Sequence, residues 1–204
     1  IKEVQNHLDN LIEYAINYFT QLKKEFGKDK DRMSEIRTFD DVDATKVVVR
    51  NLKLYVNREE GFIGTSLRKD EYVTDCSDID DIIVFRKDGH LMVTKVASKT
   101  FVGKDIIHVA VFKKKDKRTV YNMMYRDGKS GPSYMKRFNV TSVTRDKEYD
   151  LANGKKGSIV HYFSANPNGE AEVVTILLRA VGSVKKLKWD IDFSDLAVKG
   201  RAVR

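Results

Sequence analysis

Apolar residues at the start of the chain recur at alternating spacings of four and three. Val4, Leu8, Leu11, Ala15, Tyr18 and Leu22 form one stripe, and Ile12, Ile16, Phe19 and Phe26 widen it. That is the apolar face of an amphipathic helix. Gly27 follows the last apolar residue as a stop signal. Residues 28–37 then alternate in charge sign, as a solvated connector does. So wide a stripe needs something to pack against, and no second helical pattern in the chain offers it. From Thr38 onward the period shortens. Val47–Val49, Ile82–Phe85, Ile106–Phe112, Val120–Tyr125, Ile159–Phe163 and Val173–Leu178 are short β-branched and aromatic runs. Turn signals separate them: Lys87-Asp88-Gly89, Arg126-Asp127-Gly128, Asn153-Gly154 and Asn166-Pro167-Asn168-Gly169. The pattern predicts a terminal helix and charged connector over 1–38 and an all-β region over 39–204.

The strand runs repeat. Four hairpin-like units are visible: Val47 to Leu67, Asp81 to Val96, Thr119 to Val140 and Ser158 to Arg179. Their turns fall at Asn57–Gly61, Asp88-Gly89, Asp127–Gly131 and Asn166–Gly169. The first apolar residues, Val47, Ile82, Val120 and Ile159, lie 35, 38 and 39 residues apart. A period near 40 with several strands per repeat points to a propeller-like array of blades. An ordinary β-sandwich, whose hairpins resemble one another because hairpins do, is the plainer alternative. The chain's one tryptophan, in Trp189-Asp190, cannot supply a Trp-Asp signature to each repeat, which argues against a WD40 propeller.

Composition supports a globular chain, with 41% hydrophobic and 33% charged residues. The single cysteine, Cys76, excludes an internal disulfide and fits a reducing compartment. No apolar stretch reaches the roughly 18 to 20 residues of a membrane helix, and the N-terminus is not a signal peptide. A first residue of Ile rather than Met suggests a fragment or processed product. Charge sharpens the picture most. Residues 1–45 carry 7 basic and 10 acidic residues, a net of −3, whereas 46–204 carry 31 and 20, a net of +11. The basic excess belongs to the β region alone, which points either to a polyanionic partner or to a merely soluble basic surface.

Candidate chemistry is sparse. His7, His90, His108 and His161 form no pair at metal-ligand spacing. His108 and His161 sit inside strand patterns, where a structural histidine is the expected reading. Cys76 stands among Asp75, Asp78, Asp80 and Asp81, which disfavour a thiolate. The same acids suit a hard cation, although Asp-rich turns before strands are common. No phosphate-binding glycine loop of either standard pattern is present. What remains is basic decoration of the β repeats: Lys95, Lys99, Lys104, Lys113, Lys114, Lys115, Arg118, Lys129, Lys136, Arg137, Lys155, Lys156, Lys199 and Arg201. Further lysines, Lys185, Lys186 and Lys188, lead into Trp189. Set at corresponding points of successive blades, such residues would form a stripe around a rim and track a duplex phosphate backbone. Lys113 to Arg118 could equally be a charged hairpin tip. With no recognition helix, little sequence reading is expected. Reversing charge at Lys136 and Arg137 is expected to weaken duplex binding without unfolding.

Several motifs resemble the C-terminal β-pinwheel of bacterial type IIA topoisomerase A subunits. Glu35-Ile36-Arg37, Phe39-Asp40-Asp41-Val42 and Lys46–Val49 look like its lead-in. Asp80–Phe85 with Asp88-Gly89 and Lys95 looks like its blade repeat. Tyr134-Met135-Lys136-Arg137-Phe138 looks like a return strand, and Lys199-Gly200-Arg201 like a later turn. Leu11–Tyr14 through Phe26-Gly27 is similar to the last helix before that domain. The resemblance implies a mostly β fold: a propeller-like pinwheel of about four four-stranded blades, complete or not, preceded by one N-terminal α-helix. The family's disc usually has five or six blades, so this one either stops short or is small and open. The resemblance also implies sequence-independent binding and bending of double-stranded DNA in an ATP-dependent type II topoisomerase of the cytoplasm and nucleoid, with no membrane contact. In that family the attacking tyrosine, the ATPase and the magnesium lie elsewhere, so this chain is expected to be non-catalytic and to hold no cofactor. The topoisomerase B subunit is an expected partner of the whole enzyme. A second copy of the A-type polypeptide, joined through regions outside this chain, is another. The gyrase A subunit carries the box Gln-(Arg/Lys)-Arg-Gly-Gly-(Arg/Lys)-Gly in its first blade. Here the corresponding stretch reads Leu67-Arg68-Lys69-Asp70-Glu71-Tyr72-Val73, and Gly154-Lys155-Lys156-Gly157 is a weak imitation elsewhere. The missing box favours topoisomerase IV over a gyrase polypeptide that wraps DNA for supercoiling. A propeller-like protein-interaction module is the reading from another class.

Overall fold

The structure is a computed structural model describing residues 2–28, 51–152, 154–180, 182 and 185–201. The chain divides into two compact units, Ile1–Asp43 and Ala44–Arg204. The expected boundary at 38/39 and the motifs over 35–49 lie outside the described residues.

Among its described residues the first unit contains two helices where the apolar stripe predicts one. They are α1 (Lys2–Asp9) and α2 (Leu11–Phe26). Asn10 interrupts them with φ −119° and ψ 44°. Its side-chain amide donates to the Asn6 carbonyl at 3.3 Å, a local bond of the kind by which Asn competes with helix propagation. The helix ends at Phe26 as Gly27 predicts. Gly27 stays right-handed, and its N–H donates to the Lys23 carbonyl. No residue of α2 is buried within the unit, and Ile12 and Phe19 are 78% and 65% exposed.

The second unit is mostly β, with 14 strands in four sheets among the described residues. The first blade has β1 (Leu52–Asn57), β2 (Phe62–Gly64) and β3 (Glu71–Cys76). The second has β4 (Asp81–Arg86), β5 (His90–Lys95) and β7 (Ile106–Phe112). The third has β8 (Val120–Arg126), β9 (Ser133–Asn139) and β11 (Ile159–Asn166). The fourth is the pair β12 (Val173–Leu177) and β13 (Lys188–Asp192). Three two-residue strands complete the set: β6 (Thr100–Phe101), β10 (Tyr149–Asp150) and β14 (Lys199–Gly200). Each of these is donated backward. After the hairpin of one blade the chain returns to the outer strand of the blade before it, so that β6 joins β2, β10 joins β5 and β14 joins β9. The chain then runs into the strand that covers its own blade, β7 on β4 and β11 on β8. Blades are therefore interlocked rather than merely stacked. The first two donations are antiparallel and the third is parallel.

This wiring corrects the fourth sequence unit. The run 158–179 is not a hairpin. Its first half, β11, is the outer strand of the third blade, and its second half, β12, opens the fourth. The turn at Asn166–Gly169 joins two blades. Alternation along an edge strand looks the same whichever neighbour it pairs with, so spacing alone could not separate the two.

The core lies between blades. β4 reads Asp-Ile-Ile-Val-Phe-Arg and is buried on both faces, as a central strand must be. Ile82 and Val84 pack against Leu54, Val56, Ile63 and Cys76 of the first blade. Ile83 and Phe85 point the other way, into a cluster with Tyr121, Met123, Tyr125 and Phe138 of the third. Asp127, next to the third turn, is 2% exposed and pairs with Lys155 at 2.9 Å. Glycines with positive φ close the first three hairpins: Gly61 at 83°, Gly89 at 86° and Gly128 at 77°. There a Cβ would be strained.

Candidate nucleic-acid interface

Antiparallel pairing gives every sheet two ends. At one end lie the hairpin turns 58–61, 87–89 and 127–132. At the other lie the short connectors that lead from one blade to the next, 77–80, 113–119 and 167–172. Hydrogen bonds keep the ends in common register across blades. At the hairpin end, Lys87 N–H donates to the Asp105 carbonyl at 2.9 Å, and Val160 N–H to the Lys87 carbonyl at 2.8 Å. There too, Gly128 N–H donates to Ser158 Oγ at 2.9 Å. At the connector end, Lys115 N–H donates to the Thr141 carbonyl at 2.9 Å, and Arg118 Nη2 to Asn168 Oδ1 at 3.0 Å.

The fourteen basic residues predicted as one rim fall into four places. Lys104, Lys129, Lys155 and Lys156 are exposed at the hairpin end. Lys129 and the 155–157 turn are neighbours, since a Cβ on Gly157 would approach Lys129 Cγ to 2.7 Å, whereas Lys104 lies against Gly61 of the first hairpin. Lys155 is committed in part to buried Asp127. Lys87 belongs to this group and escaped the sequence-based expectation. It sits inside the Lys-Asp-Gly turn, and a turn lysine looks like ordinary solvation. Lys95, Lys113, Lys114, Lys115 and Arg118 are exposed at the connector end. The run 113–118 is not a hairpin tip but the connector from β7 to β8. Its backbone is ordered by Asp116, which accepts from Arg118 N–H at 2.8 Å and from Thr119 Oγ1 at 2.7 Å. The Thr119 hydrogen bond leads the causes that hold the Asp116 carboxyl below its usual range. Lys115 takes φ 62°, which turns the three lysines outward around a tight bend.

Lys99, Lys199 and Arg201 occupy the outer edges of the first and third blades. Lys99 Nζ lies 4.2 Å from the centroid of the Phe62 ring. Arg201 stacks on Tyr149 at 3.9 Å and donates to the Ser142 carbonyl at 3.3 Å. Arg201 thus has an aromatic and a backbone partner already.

Lys136 and Arg137 correct the prediction made for them. Lys136 is 8% exposed. Its ammonium donates to the Leu151 carbonyl at 2.7 Å and the Arg201 carbonyl at 3.1 Å, and it lies over the Phe138 ring. Successive strand residues face opposite ways, so Arg137 turns to the other side. It donates to the carbonyls of Gly169 and Glu170. Both side chains fasten neighbouring segments of chain to β9. Reversing their charge would strike the fold before it reached any ligand.

Other residues that fasten blades also went unseen. Arg58 forks onto Glu71, at 2.7 Å from both nitrogens, and reaches the carbonyls of Ile106 and Ile107. The Glu71 hydrogen bond is the main cause that raises the Arg58 pKa. Arg86 joins Asp88, Glu148 and the Val102 carbonyl. The signal was present: Arg58, Arg86 and Arg126 each stand two or three residues before a left-handed glycine. Glu172 is the fastening between third and fourth blades. It accepts from Asn122 at 2.9 Å, Tyr162 at 2.8 Å, Asn166 at 3.2 Å and Ser164. Burial pushes its pKa up, and the hydrogen bonds from Ser164, Tyr162 and Asn122 outweigh that and hold it low.

The remaining sequence candidates have structural uses. Asp80 accepts from Ser77 N–H at 2.9 Å, Asp78 from Ser77 Oγ at 2.9 Å, and Asp81 pairs with Arg145 at 2.7 Å. The acidic cluster is thus the turn between two blades. His108 packs among Phe85, Tyr121 and Phe163, and burial lowers its pKa to about 4. No described helix is long and apolar enough to cross a membrane.

Comparison with known proteins agrees with this geometry. The family described as "Topoisomerase C-terminal domain, Bacteroidota" matches residues 53–204, which is the interlocked β region. The chain is 27% identical over 168 residues to the A subunit of DNA topoisomerase 4 from Borreliella burgdorferi. That alignment covers 82% of this chain and 26% of the relative, so the chain spans about a quarter of the protein it matches. No solved structure matches it significantly. Family match, blade wiring and basic surface coincide on the same residues, and the chain belongs to the topoisomerase C-terminal domain family.

Proposed function

We propose that the β unit binds duplex DNA without sequence preference and bends it, as the C-terminal part of a type IIA topoisomerase A subunit of the topoisomerase IV kind. One observation carries this reading. Exposed lysines of two successive blades, Lys104, Lys87, Lys156 and Lys129, lie along the hairpin end of a domain of this family. Lysines in a row suit a phosphate backbone, and the unit's described residues offer no helix to enter a major groove. The topoisomerase IV assignment rests on the absent glycine box and on the identity of the relative. Cleavage, ATP hydrolysis and magnesium binding then belong to other parts of the enzyme. Its partners in the cytoplasm are the topoisomerase B subunit plus a second copy of its own polypeptide.

Titration of a labelled random-sequence duplex over a salt series tests the reading. Affinity is expected to fall by orders of magnitude between about 50 and 200 mM salt. Unrelated duplexes of equal length should bind alike. Absence of binding at the lowest salt would sink the proposal in favour of a protein-facing role.

A further inference from the structure

Between the second and third blades lies a cavity of about 260 Å³. Its room comes from two small residues, Ala110 on β7 and Ala165 on β11, at positions where a longer side chain would fill it. Tyr121, only 6% exposed, and His108 contribute aromatic rings to the lining, with centroids 6.2 Å apart. Among the described residues no hydrogen bond engages the Tyr121 hydroxyl or the His108 ring nitrogens. Burial keeps the His108 ring neutral at pH 7, so it offers one donor and one acceptor. Toward the connector end the cavity opens at Lys113, Asp116, Thr119 and Pro167, which also line a cleft of about 520 Å³. That cleft adds Lys114, Lys115 and Arg118. Asp116 is the one acid of the two linings, and Arg118 N–H and Thr119 Oγ1 already occupy its carboxylate.

The two spaces ask for different chemistry in one ligand. The cavity is below the roughly 300 Å³ at which pockets for whole molecules begin, so it suits a single ring system. Aromatic walls favour a flat ring, and an uncommitted hydroxyl and imidazole favour polar atoms on its edge. The cleft presents three ammonium groups and a guanidinium, which favour a phosphate. A purely apolar ligand would leave the polar atoms and the cations unused. An inorganic anion would leave the cavity unused.

We propose that this composite cleft binds a nucleoside phosphate, with the base between Ala110, Ala165 and Tyr121 and the phosphate on Lys113, Lys114, Lys115 and Arg118. The site goes beyond duplex binding and does not depend on it, because a paired base is held in its stack and cannot enter. The base and phosphate come either from a free nucleotide or from an unpaired nucleotide in a strand.

Calorimetric titration of the full 204-residue chain with AMP tests the proposal, with adenosine and inorganic phosphate titrated in parallel. Alanine-methyl NMR spectra report on the cavity. One AMP should bind per chain and shift the Ala110 and Ala165 methyls. Adenosine and phosphate should each bind about tenfold or more weakly than AMP. Ala165→Leu should abolish AMP binding while melting like wild type and keeping its duplex affinity. Ala110→Leu fills the same space from the other strand and serves if the first variant fails to fold. Lys114→Gln/Lys115→Gln should weaken AMP and leave adenosine unchanged. A duplex with one unpaired nucleotide distinguishes the sources. If it binds more tightly than its fully paired counterpart and Ala165→Leu erases the difference, the base comes from DNA. If both duplexes bind alike while AMP still binds, the ligand is the free nucleotide. No saturable AMP binding overturns the proposal. So does phosphate that binds as well as AMP with Ala165→Leu without effect, since the cleft would then be an anion site alone. Either failure leaves the duplex-binding reading standing, which the salt series tests separately.

Discussion

Single residues of this domain are divided between fastening and facing solvent, and the division does not follow charge. Lys136 is a buried cation serving two carbonyls, whereas Lys114 is an exposed one. Lys136→Ala should cost about 2 kcal/mol, because it orphans the Leu151 carbonyl. A urea melt would show this, and duplex affinity of the folded fraction should stay unchanged. His108 sets a pH dependence. Its folded pKa near 4 lies below the unfolded value of about 6.5. The unfolded chain therefore takes up the proton first. Stability is full above about pH 6.5 and declines as pH falls toward 4, by at most about 3 kcal/mol. His108→Phe should flatten the profile of midpoint against pH over that window. An unaltered slope would assign the loss to other groups.

At the scale of elements, strands buried on both faces carry the stability. Phe85 contacts rings from three other strands, Tyr121, Phe138 and Phe163. Phe85→Ala should cost about 3–5 kcal/mol, measured by equilibrium denaturation. The β12–β13 pair is the opposite case. Val173, Leu177 and Trp189 are 61%, 75% and 46% exposed, and a two-stranded ribbon is marginal by itself. Its attachment runs through Glu172 and through Phe193, which contacts Tyr162. Glu172→Ala should speed amide exchange across β12 and β13 and leave β4 protected. Equal acceleration in both places would show that the blades open together. The helices α1 and α2 were legible from their stripe, and only the break at Asn10 was not. A polar residue on the solvated side leaves the apolar period intact, so periodicity could not register it.

For the whole molecule, the interlocking of blades decides where function can sit. Because each strand carries the chain from one end of its sheet to the other, basic residues close in sequence land far apart. Lys113 and Lys129 are 16 residues apart, yet one stands at the connector end and the other at the hairpin end. Salt dependence should follow this partition. Charge reversal confined to one end should lower the slope of log affinity against log salt in proportion to the phosphate contacts that end makes. A slope that drops equally for both variants would mean one continuous path. The sequence by itself determined the element types, three of the four hairpins, and the family, because these rest on local period, turn chemistry and motif order. It also determined that the basic excess lies in the β region. Which strand pairs with which was decided by tertiary structure. So was the conversion of one predicted rim into two ends, and the withdrawal of Lys136 and Arg137 into the fold. Strand pairing is a long-range choice among edges that look alike in one dimension. A side chain's partners follow from that choice and not from its own charge.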